Sequence, residues 1–426
     1  IDNFVIYGFF GTWLSETLTY FPTAFMVIAA ILDTMSASLD DAALSLGASR
    51  WRMFRTVTVP LSAPGISNAL LLLFGASLAD FATPLILAGH SFPVLPTEAY
   101  LMITGLFDLK GGASLSFLLL VPALIVFLLQ RTVLGKRSYV SVTGKNGARS
   151  EFAKLPNSLT AFIAAVCTIV VFFILYLYAI ILWGSFVKVW GVNNTFTLSH
   201  YGYVFQHGMK AIKDTLLIAC VSTLIGTVLG VVIGYIVQRK SFFAKRFFEF
   251  GSMLNYALPG TVVGIAYIIA FNQKPLLLTG TMTILVASYV FRYYATGIRA
   301  VMASLEQIDK ALEEASLSLG GGTVRTFTHV TVPLIIPAIL SGMRYLFIHC
   351  MTAISATIFL VSVHWTLLTT RILESMTELQ FSQASAFSIV LIVIVFIADA
   401  LMLGLLRLST ARFHKKKEVS HVRIGA

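Results

Sequence analysis

The sequence predicts an all-α, polytopic membrane protein built from two tandem repeats of one helical unit. Three observations carry that prediction. Of 426 residues 57% are hydrophobic and 12% charged, with 33 Phe and a mean hydropathy of +0.86, whereas soluble domains carry about 25% charged residues. Nine apolar runs are each long enough to cross a bilayer. A polar, charged loop between two of these runs occurs twice.

The runs lie at 12–32, 61–88, 113–130, 159–187, 211–238, 248–271, 280–299, 334–361 and 385–406. A crossing helix needs about 20 mainly apolar residues, each adding about 1.5 Å to a path of about 30 Å. The runs are continuous and do not alternate with period two, which predicts helices rather than barrel strands.

Lys and Arg mark the cytoplasmic side of such a chain. Residues 131–157 hold Arg131, Lys136, Arg137, Lys145, Arg149 and Lys154 against the single acid Glu151. The turn QRKSFFAKR holds Arg239, Lys240, Lys245 and Arg246, and the tail holds Arg407, Arg412, Lys415, Lys416, Lys417 and Arg423. An even number of runs separates these sites, so all three fall on one side, with the repeated loop. The segments 89–112, 188–210 and 362–384 then face outward, with few basic residues and with Trp190, Tyr201, Tyr203 and Trp365 near the interfaces. The net charge of +11 therefore expresses topology. A nucleic-acid function is excluded, because it needs a basic folded domain with interleaved aromatics. Cys167, Cys220 and Cys350 sit singly in apolar runs, with neither metal spacing nor a disulfide framework.

The repeated loop is LDDAALSLGASRWRMFRTVTVPLSAP at 39–64 and LEEASLSLGGGTVRTFTHVTVPLIIP at 312–337. Aligned without a gap at an offset of 273, fourteen of the twenty-seven positions from 39–65 and 312–338 are identical, which is internal duplication. The same offset places Tyr20 on Tyr293 and Asp33 on Glu306. Both loops lie on the same side, so the repeats are parallel. The second half has a leading block, 159–273, that the first lacks. The alignment therefore predicts a first repeat truncated at its N-terminus, by about three helices. The expected organisation is the C-terminal part of a first domain, with about three helices, at 1–130, a basic cytoplasmic linker at 131–157, a six-helix second domain at 158–406 and a basic cytoplasmic tail at 407–426.

Within each loop, Leu39, Ala42, Ala43 and Leu46, and likewise Leu312, Ala315, Ser316 and Leu319, fall on one side of a short helix. The acids 40–41 and 313–314 lie off that stripe. Gly47 and Gly320 are expected to end this helix. A second short helix with Phe54 and Val57, or Phe327 and Val330, is expected to run to Pro60 or Pro333, and Pro64 or Pro337 to help start the next membrane helix.

Asp41-Ala42-Ala43, Gly47, Phe54, Val57 and Pro60, with Glu314-Ala315-Ser316, Gly320, Phe327, Val330 and Pro333, resemble the EAA motif of membrane subunits of binding-protein-dependent ABC importers. That resemblance implies that each loop is a coupling helix seated in a groove of a separate ATP-binding cassette subunit, hence two such subunits, with a periplasmic solute-binding protein on the other side. Asp41 replaces the usual Glu and Ser316 the second Ala. The chain has no G-x-x-x-x-G-K-[ST], and GKNGARS at 144–150 has the wrong order. ATP is thus expected to be used by the partner subunits, with no cofactor and no catalytic residue in this chain.

The run GASLADFATPLILAG after the first loop and MTAISATIFLVS after the second resemble ferric iron permeases of Gram-negative bacteria, which implies an inner-membrane location and iron as cargo. Importers of thiamine, phosphonates, polyamines or hexose phosphates share the architecture, so an anionic or organic solute stays open. Charges inside the bilayer cost about 2.5–3.5 kcal/mol at a helix centre and so face a path or a partner. Asp80, Asp399, Arg292 and Arg344 are such charges. A hard trivalent cation favours oxygen ligands and points to Asp80, Thr83, Ser355 and Thr357 as path residues, without a tight metal site. An anion points to Arg292 and Arg344. His349 beside Cys350 has no second ligand pair and is expected to be core. A secondary transporter would typically show inverted repeats, and a membrane enzyme a convergent constellation at one face. Neither pattern is present in the sequence.

Overall fold

The computed structural model describes residues 6–33, 35, 42–89, 92–135 and 157–424. Asp41, the stripe residue Leu39 and most of the basic linker lie outside the described residues. The chain divides into two compact units, Ile1–Ala179 with Ala257–Val262, and Ile180–Tyr256 with Val263–Ala426.

The duplication read from the loops extends through the elements at the same offset of 273. Phe9–Asp33 corresponds to Met282–Glu306, Arg50–Met53 to Thr323–Thr326, and Leu95–Thr104 to Leu368–Thr377, while Val59–Leu78 and Val332–Thr352 begin at equivalent residues. In the first unit Phe9–Asp33 packs on Val59–Leu78, and Leu109–Gly135 packs on Val59–Leu78 and Leu95–Thr104. Its core contains Phe81, Leu119, Ala123 and Phe127, with Phe81 edge-on to Tyr100 at 5.0 Å between centroids.

In the second unit Met209–Arg239, Met282–Glu306 and Val332–Thr352 pack on one another, and Phe381–Ile424 closes on Val332–Thr352. Apolar side chains gain little by leaving lipid for protein, so helices in a bilayer associate through close backbone approach at small residues. Here a Cβ at Gly230 would lie 3.5 Å from Tyr294 O and Ile298 N, and one at Gly342 would lie 3.0 Å from the Gly297 Cα. Ile218, Ile284, Leu285, Ile298, Leu346 and Phe387 fill the space between. A hairpin of Val187–Val189 with Asn193–Phe196 is tied to the last helix where Trp190 N donates to Ser382 Oγ, 3.1 Å.

Among the described residues six helices are long and apolar enough to cross a membrane, or seven with the pair Arg50–Ala63 and Gly65–Leu78, bent by 53°. The sequence suggested nine continuous runs, and three of these are broken. The run 61–88 stops at Leu78 and resumes as Ala82–Leu87, because Pro84 has no N–H for the Asp80 carbonyl and the Asp80 carboxylate instead accepts from Thr83 N, 3.4 Å. The run 334–361 breaks at the corresponding place, where Ala353 is extended and the helix resumes as Thr357–Leu360. The run 248–271 divides into Lys245–Ala257 and Gly260–Phe271 around Leu258-Pro259, since a residue before proline avoids helical geometry. Met282–Glu306 has the length of a span but carries Arg292, Arg299 and three tyrosines.

Candidate coupling loops and translocation residues

Both loops have the same backbone. Gly47 and Gly320 adopt φ of +81° and +82°, a region that only Gly enters cheaply. In each, two amides fold back over the preceding turn: Gly47 N to Leu44 O (2.9 Å) and Ala48 N to Ala43 O (3.1 Å), then Gly320 N to Leu317 O (3.0 Å) and Gly321 N to Ser316 O (2.9 Å). This pattern satisfies the orphan carbonyls of a helix end. Residues 42–45 and Ala311–Ser318 are the helices so terminated.

The second helix of each loop does not stop at the proline, as the sequence suggested. Arg50–Met53 and Thr323–Thr326 pass into wide π turns, Phe54–Thr58 and Phe327–Thr331, and then directly into Val59–Leu78 and Val332–Thr352. Pro60 and Pro333 fall in the first turn of those helices, where a missing N–H costs least. Each loop is therefore continuous with a membrane helix.

The apolar stripe faces outward. Leu46 is 88% and Leu319 89% exposed, and Trp51 and Val324, again equivalent, are exposed as well. Glu314 and Ala315 are exposed. Ser316, where the motif has Ala, bonds its hydroxyl to Thr326 (2.9 Å). The first loop has Ala43 and Met53 at these two positions, so one polar pair replaces one apolar pair. Phe54 stacks on Trp51, whereas Phe327 packs on Tyr235, 4.6 Å between centroids.

In the first unit the break after Leu78 gathers oxygen. Asp80 is half-buried, Ser77 Oγ donates to Glu16 Oε2, and Tyr20, whose hydroxyl donates to Ala76 O at 3.2 Å, sits beside both carboxylates. Glu16 and Tyr20 did not emerge from the sequence as candidates, although an acid inside the apolar run 12–32, four residues before a tyrosine, was a readable signal. The second unit has Tyr289, Tyr293, Cys350 and Ala353 at the positions of Glu16, Tyr20, Ser77 and Asp80. Only the first repeat carries the carboxylates.

Of the remaining candidates, Ser355 is half-buried in the second unit's helix break. Thr357 is fully buried, with its hydroxyl bonded to the Tyr289 hydroxyl (2.7 Å) and donating to Ala353 O (3.2 Å). That hydroxyl is occupied within the bundle. Arg344 does not stand alone at a helix end: its guanidinium grips both oxygens of Asp399, with Nη2 to Oδ2 at 2.7 Å. Arg292 lies over the Tyr293 ring at 5.7 Å, and its Nη1 is buried without a hydrogen-bond partner. His349 is stacked on Tyr293, with the Tyr345 ring tilted against it, 4.0 Å between centroids.

The profile of the family described as binding-protein-dependent transport system inner membrane component matches residues 8–138 and 226–415. The chain belongs to this family. The two matched stretches each contain one of the loops, so the resemblance drawn from the EAA motifs is borne out, and the chain is a multi-pass membrane protein and a transport permease component. It is 37% identical over 399 residues to the ferric transport system permease protein FbpB of Actinobacillus pleuropneumoniae, covering 92% of this chain and 58% of the relative. The relative named "Putative ferric transport system permease protein FbpB 1" of Haemophilus influenzae is 40% identical over 363 residues, covering 84% of this chain and 57% of that one. The chain thus spans less than two thirds of these relatives' length. The crystal structure of a bacterial ABC transporter involved in import of the acidic polysaccharide alginate aligns with a TM-score of 0.50 at 17% identity, over 59% of this chain and 96% of that one. That likeness concerns the fold.

Proposed function

We propose that this chain is the membrane-spanning part of an ATP-driven importer that carries ferric iron across a bacterial inner membrane. It works with two separate ATP-binding cassette subunits and a periplasmic solute-binding protein. The observation that carries this reading is the pair of loops with matching backbone hydrogen bonds, each helix terminated by a left-handed glycine and each turning an apolar side chain outward. Leu46 with Trp51, and Leu319 with Val324, make an exposed apolar face at equivalent positions of both loops, and this face is the proposed docking surface. The proposed contacts are Asp41, Ala42, Ala43, Gly47 and Pro60 in one loop and Glu314, Ala315, Ser316, Gly320 and Pro333 in the other.

Docking supplies a mechanical route. Each loop runs through a π turn into a membrane helix, which in the first unit bends by 53° between Ala63 and Gly65, and each such helix ends at a break, 79–81 or 353–356. Displacement of a loop when the cassette subunits close is delivered to those breaks. Irregular backbone at membrane depth is tolerated where it is buried in protein or lines a water-filled cavity, and broken helices recur at transport sites.

Iron as cargo is supported by the identity to ferric permeases over most of this chain and by the oxygen donors at the first break. Ferric ion is hard and trivalent and favours carboxylate, phenol and hydroxyl oxygens. Asp80, Glu16, Tyr20 and Thr83 supply such groups at the first unit's break, and Ser355 supplies a hydroxyl at the second unit's own break. Thr357 is set aside because its hydroxyl is already engaged. One observation favours an anionic solute, the unpartnered Nη1 of Arg292. Uptake of labelled ferric ion and of a labelled hexose phosphate, compared in the wild type, Asp80→Asn and Arg292→Gln, separates the two. Iron uptake lost in Asp80→Asn supports the proposal. Hexose phosphate uptake lost in Arg292→Gln, with no iron uptake by the wild type, overturns it.

A further inference from the structure

The two adjacent acids of the second loop have different surroundings. Glu314 is exposed, whereas the Glu313 side chain is 13% exposed and its Oε1 lies 3.1 Å from Arg239 Nε, on a side chain 5% exposed. Arg239 Nη2 donates to Ile308 O at 2.8 Å, and Thr331 Oγ1 donates to the same Glu313 oxygen at 3.2 Å. Four segments therefore meet on one ion pair: the last residue of Met209–Arg239, the turn at Ile308, the helix Ala311–Ser318 and the π turn Phe327–Thr331. One helical turn before Arg239, Tyr235 is buried with Val301, Leu305 and Ile335 in a small core of its own, against which Phe327 and Ile308 pack.

Apolar packing does not hold the first helix of this loop. Leu312, Leu317 and Leu319 are all exposed, and the Ser316–Thr326 bond joins only the loop to itself. Among the described residues, the Arg239–Glu313 pair links Ala311–Ser318 to a membrane helix other than those flanking it in sequence. A buried ion pair gains little net stability over apolar packing, but its hydrogen bonds are directional and fix one arrangement. Arginine suits the place, since its rigid fork reaches a carboxylate and a carbonyl at once and a lysine does not.

We propose that Arg239 is the positioning residue of the second loop. Through Glu313 it holds the loop's first helix in the orientation that docks, and it passes the displacement of that helix to Met209–Arg239. Glu314 is left free for the partner subunit. This inference rests on the coupling reading given above. Met209–Arg239 packs along both Met282–Glu306 and Val332–Thr352, so a rigid link at its end moves the unit as a body. A slack link lets the cassette subunits close and hydrolyse ATP while the helices stay in place.

The test uses the full chain, first alone and then with its transport partners, in Arg239→Gln, Glu313→Gln, the double variant and Arg239→Lys. Hydrogen exchange of residues 309–322 reads the link in the permease alone, and exchange elsewhere reports the fold. Both single variants are expected to speed exchange in 309–322 only. Each should lower iron uptake about tenfold with ATP hydrolysis retained, as expected when one partner of a desolvated pair is removed. The double variant should be no worse than either single one, because both remove the same interaction, and Arg239→Lys should fall between. Unchanged exchange and uptake in Arg239→Gln overturn the proposal, as does a double variant whose loss is the product of the two single losses. A wild type that moves no iron overturns the transport reading instead, while exchange in the isolated permease still decides whether the link exists.

Discussion

Replacing Asp399 with alanine should destabilise the second unit by about 2 kcal/mol, and the loss should vanish when Arg344 is replaced too. Arg344 and Asp399 lie on Val332–Thr352 and Phe381–Ile424, with side-chain exposures of 36% and 18%. Breaking a fully buried pair costs about 3–5 kcal/mol because the remaining charge is stranded. Both residues lie in candidate membrane spans, where a stranded charge costs about 2.5–3.5 kcal/mol at a helix centre, so the loss is set at about 2 kcal/mol for a pair off the centre. Arg344→Met combined with Asp399→Ala removes both charges and should return to within about 0.5 kcal/mol of the wild type. The assay is the unfolding midpoint of the purified chain in a denaturing detergent titration, run on both single variants and the double one. Iron uptake is measured on the same set. If the double variant is as unstable as Asp399→Ala, the pair is not the source of the effect. If it is stable but has lost uptake, Arg344 acts on the solute and its assignment to packing is wrong.

Other outcomes follow from the same geometry. Gly47→Ala and Gly320→Ala meet no neighbour within 4 Å, so their cost is backbone strain of about 1–2 kcal/mol at a left-handed position; uptake should fall while insertion, read by membrane fractionation, is unchanged. Glu16→Gln should reduce iron uptake as Asp80→Asn does, and a Glu16→Gln chain with full uptake would remove Glu16 from the path. Gly342→Leu drives a side chain into the Gly297 backbone and should lower the unfolding midpoint, whereas a stable variant would show that the helices can separate without loss. Cysteines placed at Lys145 and Thr195 should label from opposite faces of the membrane.

The duplication was legible because it rests on contiguous identities, and the loop ends were legible because Gly47 and Gly320 state their own backbone. The helix breaks were harder to read. Hydropathy runs unbroken through 79–81 and 353–356, since an unwound segment lined by protein needs no loss of apolar character, and only Pro84 and Pro259 marked two of the three sites. Arg344 and Asp399 were each visible as costly intramembrane charges, yet their pairing joins residues 55 apart, which no local pattern encodes. Likewise the doublet Glu313-Glu314 was visible, but its division into an inward and an outward acid depends on Arg239, 74 residues earlier.

ATP-dependent accumulation of labelled ferric ion in membrane vesicles tests the central claim most directly, with this chain and the proposed cassette subunits and binding protein present together. The vesicles carry either the wild type or Glu314→Arg with Gly320→Trp, inserted at equal levels. Accumulation by the wild type and none by the double variant is the predicted result. Equal accumulation by the two would contradict the claim that the loops carry the drive, and no ATP-dependent iron accumulation by the wild type would contradict the claim about cargo.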